Sequence, residues 1–153
     1  MLMNLMFGLP TMVVCLLLQS LLFIAAIRYY VQHEYLVENP SFLASLTVIT
    51  SVMLLLVIGN LAQVAIWGLL FQLLGEFQHF SEAVYHSAVN FSTLGYGDIV
   101  MSAEHKLLGP LEAINGVLMI GVSTAALMTT FQDAMHKTSR ARAAERVSSR
   151  RTG

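Results

Sequence analysis

Along this chain the apolar positions gather into three long runs separated by shorter polar stretches. Met1 to Ile27, Asn39 to Gly75 and Ala113 to Gln132 contain no Asp, Glu, Lys or Arg. A bilayer core about 30 Å thick is crossed by about 20 apolar residues of helix, and each run reaches that length. The first crossing helix is expected from about Leu9 to Ile27, interrupted only by Gln19 and Ser20. The second begins after Asn39-Pro40-Ser41, a helix-start signal, and continues to about Leu74. At about 1.5 Å per residue it would be about 50 Å long, so it must tilt or project into water. Gly59, Asn60, Gln63 and Gly68 mark a face packed on other helices rather than on lipid. The third runs from Leu107 to Gln132 and opens with Gly109-Pro110, where proline suits a first helical turn.

Glu76 to Lys106, between the second and third runs, is too polar to span and too apolar for a simple loop. Ser81 to Phe91 reads as a short helix with Ser81 as its N-cap and Tyr85, Ala88 and Val89 among its apolar positions. A glycine-bearing stretch follows it. Beyond Gln132 the chain turns polar and basic, ending in Ser148-Ser149-Arg150-Arg151-Thr152-Gly153. There the third helix is expected to continue a few turns and then fray into disorder.

Composition narrows the class. Hydrophobic residues make up 56% of the chain and charged ones 11%, against roughly 25% charged in a soluble domain, so this is a membrane protein. The first run lacks the marks of a cleaved leader: Met1 to Thr11 has no Lys or Arg, and Ile27-Arg28-Tyr29-Tyr30 is a poor cleavage site. A retained helix is the reading, with a leader or an interfacial helix as its rivals. Cys15 is the single cysteine, which excludes a disulfide within the chain. His33, His79, His105 and His136 show no metal-ligand spacing, and the nine methionines are read as packing. No nucleophile–base set or phosphate-cradling loop appears, so no enzyme and no nucleic-acid partner is expected.

The basic residues orient the chain. If all three runs cross, seven of the eight (Arg28, Lys137, Arg140, Arg142, Arg146, Arg150 and Arg151) fall on one side and only Lys106 on the other. By the positive-inside rule the C-terminus and first interhelical loop are cytoplasmic. The N-terminus and the Glu76 to Lys106 segment then face outside. Arg28-Tyr29-Tyr30 with Tyr35 fits a cytoplasmic interfacial belt.

Ser92-Thr93-Leu94-Gly95-Tyr96-Gly97-Asp98 resembles the potassium-channel signature, with Leu where Val or Ile is commoner. The order of long helix, short helix, filter and long helix, over about Phe42 to Gln132, is that of the family's pore module. The resemblance implies an all-α membrane protein: an N-terminal transmembrane helix and cytoplasmic loop (1–41), an outer helix, pore helix, filter loop and inner helix (42–132), and a basic cytoplasmic tail (133–153). One filter copy per chain implies a four-fold symmetric homotetramer in lipid, with K⁺ as permeant ion and no cofactor. The carbonyls of Thr93, Leu94, Gly95 and Tyr96, and the Thr93 hydroxyl, would replace the water around the ion. Gly95 and Gly97 would supply backbone angles that L-residues resist. Tyr96 would wedge against the short helix, and Asp98 would raise cation concentration at the outer mouth.

Further expectations follow from the same resemblance. Val89 stands where some relatives carry a Glu behind the filter. Tyr85 and His86 hold the two aromatic positions near the start of the short helix, Tyr85 within reach of Asp98. His86 is either a proton sensor or a neutral, hydrogen-bonded histidine. Gly116 and Gly121 are candidate hinges, each with close helix packing as the alternative, and Val117, Ile120, Thr124 and Met128 would line the cavity. Glu112 is the one acid within a presumed span, either solvated or partnered, with His86 as one possible partner. The function implied is a passive potassium channel, the alternatives being a weakly selective cation channel or a non-conducting subunit that modulates a related channel. The short chain and the lack of eukaryotic sorting signals point to a prokaryotic plasma membrane. With three crossings, an accessibility tag at Met1 should report outside and one at Gly153 inside; both ends on the cytoplasmic side would remove the first run as a crossing helix.

Overall fold

The structure is a computed structural model describing residues 2–33, 35 and 42–152, with backbone only at 42, 142 and 144–152. Among the described residues four helices can be delimited: α1 (Leu2–Gln32), α2 (Phe42–Leu73), the short α3 (Phe80–Phe91) and α4 (Leu108–Thr152). Three of them are long and apolar enough to cross a membrane, over Leu2–Gln32, Leu43–Leu73 and Leu108–Ala141. The helix-start signal at Asn39-Pro40-Ser41 lies outside the described residues.

Two boundaries differ from expectation. α1 is longer at both ends and passes through Pro10, which forfeits one backbone hydrogen bond. The flanking Leu2, Met3, Leu5 and Met6 are good helix formers and continue the apolar surface. α4 does not fray after a few turns but runs unbroken to Thr152. Ala141, Ala143, Ala144, Glu145 and the interspersed arginines favour helix, which the polarity of the tail obscured.

α3 is capped otherwise than by Ser81. Its N-cap is His79, in an extended conformation and with no side-chain cap bond; the His79 carbonyl instead accepts the N–H groups of Glu82 and Ala83. Ser81 is exposed in the first turn. Tyr85 and Ala88 are exposed too, and the buried face consists of Ala83, His86, Ser87, Val89 and Phe91.

The end of α2 has a local cause. The Gly75 N–H bonds to the Gln72 carbonyl and the Glu76 N–H to the Phe71 carbonyl, with Gly75 at φ +77°. That paired closure is a Schellman cap, whose left-handed residue favours glycine.

The chain divides into two compact units, and each long helix gives one part to each. The first unit, Met1–Leu21 with Ile58–Val122, contains α3 and the loop after it. Its core is Cys15, Trp67, Phe71, Phe77, Ala83 and Leu108, with a smaller cluster of Val64, Phe91 and Met119. The face expected from Gly59, Gln63 and Gly68 is indeed buried. Gln63 donates to Gln19 of α1 at 2.7 Å, and a Cβ on Gly68 would lie 3.0 Å from the Val84 backbone. In the second unit, Leu22–Val57 with Ser123–Gly153, Ala26, Tyr30, Val48, Val52, Leu56, Ala126 and Ala134 form the core. Ser45 bonds Thr138 at 2.9 Å, and the Tyr30 hydroxyl donates to Asp133 at 2.7 Å.

Gly116 is where α4 receives the end of α3. A Cβ there would lie 2.0 Å from the Phe91 carbonyl oxygen, whereas one at Gly121 would meet nothing within 4 Å. Close packing thus accounts for glycine at 116 without a bend. Gly116→Ala should destabilise the protein by roughly 2 kcal/mol, while Gly121→Ala should be neutral or stabilise it by up to about 1 kcal/mol. Thermal unfolding of both variants in detergent checks this; equal shifts would remove the packing argument.

Candidate functional site

The site begins where α3 stops. A helix end leaves carbonyls without intrahelical partners, and the next residues satisfy several. Ser92 N–H donates to Ala88, Thr93 N–H to Asn90, and both Leu94 N–H (2.9 Å) and Gly95 N–H (3.4 Å) to Val89. Val89 therefore supports the loop through its carbonyl, where the sequence reading considered only its side chain.

From this anchorage the backbone alternates. Thr93 (φ +58°), Gly95 (φ +59°) and Gly97 (φ +72°) are left-handed, whereas Leu94 and Tyr96 are not. Positive φ at Gly95 and Gly97 matches the expected need for glycine. At Thr93 it was not anticipated, because a β-branched residue rarely adopts it; strain of this kind costs about 1–3 kcal/mol and gathers at functional sites. A Cβ on Gly95 or Gly97 would meet nothing within 4 Å, so conformation rather than space calls for glycine there. Residues 92–98 are all exposed in the single chain, Tyr96 at 67%.

Two groups tie the loop back to α3. The Tyr85 hydroxyl donates to Asp98 Oδ2 at 2.7 Å, the contact anticipated above. That bond lowers the Asp98 pKa and raises that of Tyr85. His86 packs against the rings of both Phe71 and Phe77. Its Nδ1 is 3.0 Å from the Ile99 carbonyl, and its Nε2 faces the Asn90 amide at 2.9 Å. A carbonyl only accepts, so Nδ1 carries the proton and Nε2 accepts from Asn90, which satisfies a neutral imidazole. Burial lowers the pKa further, against the raising effect of the Ile99 carbonyl. Of the two readings of His86, this geometry supports the neutral one.

Glu76, which follows the cap of α2, was missed by sequence reasoning. Its carboxylate takes the Ser102 N–H (2.7 Å), the Ser102 hydroxyl (2.6 Å) and His105 Nδ1 (2.6 Å). One side chain thereby secures the segment between the loop and α4. The usable signal was an acid placed directly after the Gly75 helix stop.

Glu112 is fully buried rather than solvated. It bonds Ser87 of α3 and faces Asn90; the suggested partner His86 is occupied by Ile99 and Asn90. On α4, Val117, Ile120, Gly121, Thr124 and Met128 are all exposed, leaving that stripe open to a second chain or to a pore axis.

A family model described as "Ion channel" matches residues 60–133. Comparison with curated proteins and with solved structures gives no match.

The Glu76 cluster has a pH signature. Burial raises the Glu76 pKa, but the Ser102 hydroxyl, the Ser102 N–H and His105 outweigh it, so the net shift is downward. A lowered carboxyl pKa stabilises the fold above the ordinary carboxylate range, and that contribution is lost as pH falls through the folded value. The melting temperature should therefore fall on acidification into and below that range. Glu76→Gln should flatten the dependence; an unchanged slope in that variant would show that the cluster does not contribute.

Proposed function

We propose that this chain, whose residues 60–133 match a family model described as "Ion channel", is a potassium-selective channel working as a homotetramer. The observation that carries the reading is the alternation of left-handed backbone at Thr93, Gly95 and Gly97 in an exposed loop hung from the end of α3. Alternating hand turns successive carbonyls toward one side. Four such loops around an axis give stacked rings of oxygen from Thr93, Leu94, Gly95 and Tyr96, with the Thr93 hydroxyl innermost. A potassium ion exchanges its water shell for these rings and moves from one to the next down its gradient. No covalent step is involved.

The remaining roles follow from this arrangement. The exposed Tyr96 ring gains its packing from a neighbouring copy, which sets the width of the path. Asp98, oriented by Tyr85, lies at the outer mouth, where four carboxylates concentrate cations. The exposed stripe of Val117, Ile120, Thr124 and Met128 lines the inner cavity, and Gly121, with open space around it, is the better placed of the two candidate hinges. The basic tail is cytoplasmic, and the membrane is a prokaryotic plasma membrane.

Purified protein in planar bilayers tests the reading. With K⁺ on one side and Na⁺ on the other, the reversal potential should lie close to the potassium equilibrium potential. Gly95→Ala should abolish the selective current while the assembled protein is still recovered, because alanine resists the left-handed conformation. Absence of K⁺ preference in the unsubstituted protein would overturn the proposal.

A further inference from the structure

Three helices of the first unit meet at one hydroxyl. Ser87 of α3 is fully buried; its Oγ lies 2.7 Å from the Val64 carbonyl of α2 and in hydrogen-bond contact with Glu112 Oε1 of α4. A serine hydroxyl has one proton to donate, and the Val64 carbonyl can only accept. Were Glu112 a carboxylate, it too could only accept, and one of the two oxygens would face Ser87 with no hydrogen between them. A second proton resolves the conflict. Placed on Glu112, it makes a series in which the acid O–H donates to Ser87 Oγ and the Ser87 O–H donates to Val64.

The surroundings agree. Glu112 has no exposed surface. Facing it are Ser87 and Asn90 from α3 and, from α1, the Cys15 thiol, which also meets Trp67 of α2 and Asn115 of α4. Among the described residues no basic group stands in this set, and an unpaired carboxylate in a dry interior is costly. Among the described residues Glu112 Oε2, Trp67 Nε1 and both polar atoms of Asn115 have no partner at full hydrogen-bond geometry, the thiol offering Trp67 and Asn115 only a weak one. Apart from Ser87, the Asn90 amide is the donor that faces the carboxyl, and a single neutral amide falls well short of offsetting a buried negative charge.

We propose that Glu112 is held as a neutral acid and, by donating to Ser87, is a positioning residue that fixes α3, and with it the conduction loop, between α2 and α4. The inference rests on the function proposed above only in taking the loop after α3 as the ion path.

The two protonation states predict opposite outcomes for one substitution. Glutamine keeps a donor of similar length and carries no charge, so Glu112→Gln should behave as the unsubstituted protein. Glu112→Leu removes the donor. Ser87→Ala breaks the series at its centre and serves where the leucine variant does not assemble. Amide hydrogen exchange over residues 84–97 of the assembled protein should match the unsubstituted rate in Glu112→Gln. It should rise about tenfold in Glu112→Leu or Ser87→Ala, the equivalent of one buried hydrogen bond. Infrared spectra at neutral pH should contain a carboxylic-acid C=O band that Glu112→Gln removes. If glutamine loosens α3 as much as leucine, the charge is needed and the proposal falls. It falls equally if leucine and Ser87→Ala both leave exchange unchanged, or if glutamine removes only carboxylate bands. Exchange and infrared readings do not depend on conduction, so a channel without K⁺ preference would overturn the functional reading and leave this test to decide the role of Glu112.

Discussion

A helix that stops inside a protein must place its last carbonyls somewhere, and much of the first unit is organised around that need at the end of α3. The carbonyls of Ala88, Val89 and Asn90 are taken by N–H groups of residues 92–95, so the loop begins as the cap of the helix that carries it. The next carbonyl, that of Phe91, lies so close to α4 that residue 116 has no room for a side chain. Helix end, loop and α4 are thus fixed by one set of contacts. The left-handed Thr93 is tolerated because the bonds on either side of it leave few alternatives.

Polar residues inside the long apolar helices serve the same end. Gln19 with Gln63 in the first unit, and Ser45 with Thr138 in the second, pair across helices with burial near completion. Between apolar helices in lipid there is little hydrophobic force, and close packing with interhelical hydrogen bonds takes its place. α1 contributes to both units in this way, through Gln19 in one and through Tyr30 to Asp133 in the other. It is part of each core rather than an appended anchor.

The sequence made the loop legible because glycine at 95 and 97 is a backbone requirement expressed as a residue type. The three apolar runs were legible for a similar reason, since the thickness of a bilayer is written as length. Tyr85 and Asp98 were paired correctly from their places in the motif. What stayed hidden depends on contacts between segments far apart in the chain. Glu76 finds Ser102 and His105 26 and 29 residues away, and no local pattern announces such a meeting. Glu112 was recognised as unusual, but which residue of α3 it meets is set by the rotation of α4 that Gly116 permits. Thr93 at positive φ ran against its own propensity, a case where tertiary context overrides the local preference. The tail of α4 misled through polarity, which measures contact with water and not the tendency to be helical.

The openness of the loop has a genetic consequence. Beyond the adjacent loop residues, no described atom of its own chain stands within 4 Å of where a Cβ on Gly95 or Gly97 would sit, so the proposed path for ions is not enclosed by any one copy. In the proposed four-fold assembly, a cell given a second, altered copy of the gene would mix the two products at random. A substitution in the loop of one copy would then enter most assemblies, and only a small minority would consist wholly of the unaltered chain. Loop variants would act as dominant over the unaltered copy. Variants that keep the chain from folding, such as a bulky side chain at position 116, never reach the assembly and would leave the unaltered product to assemble alone.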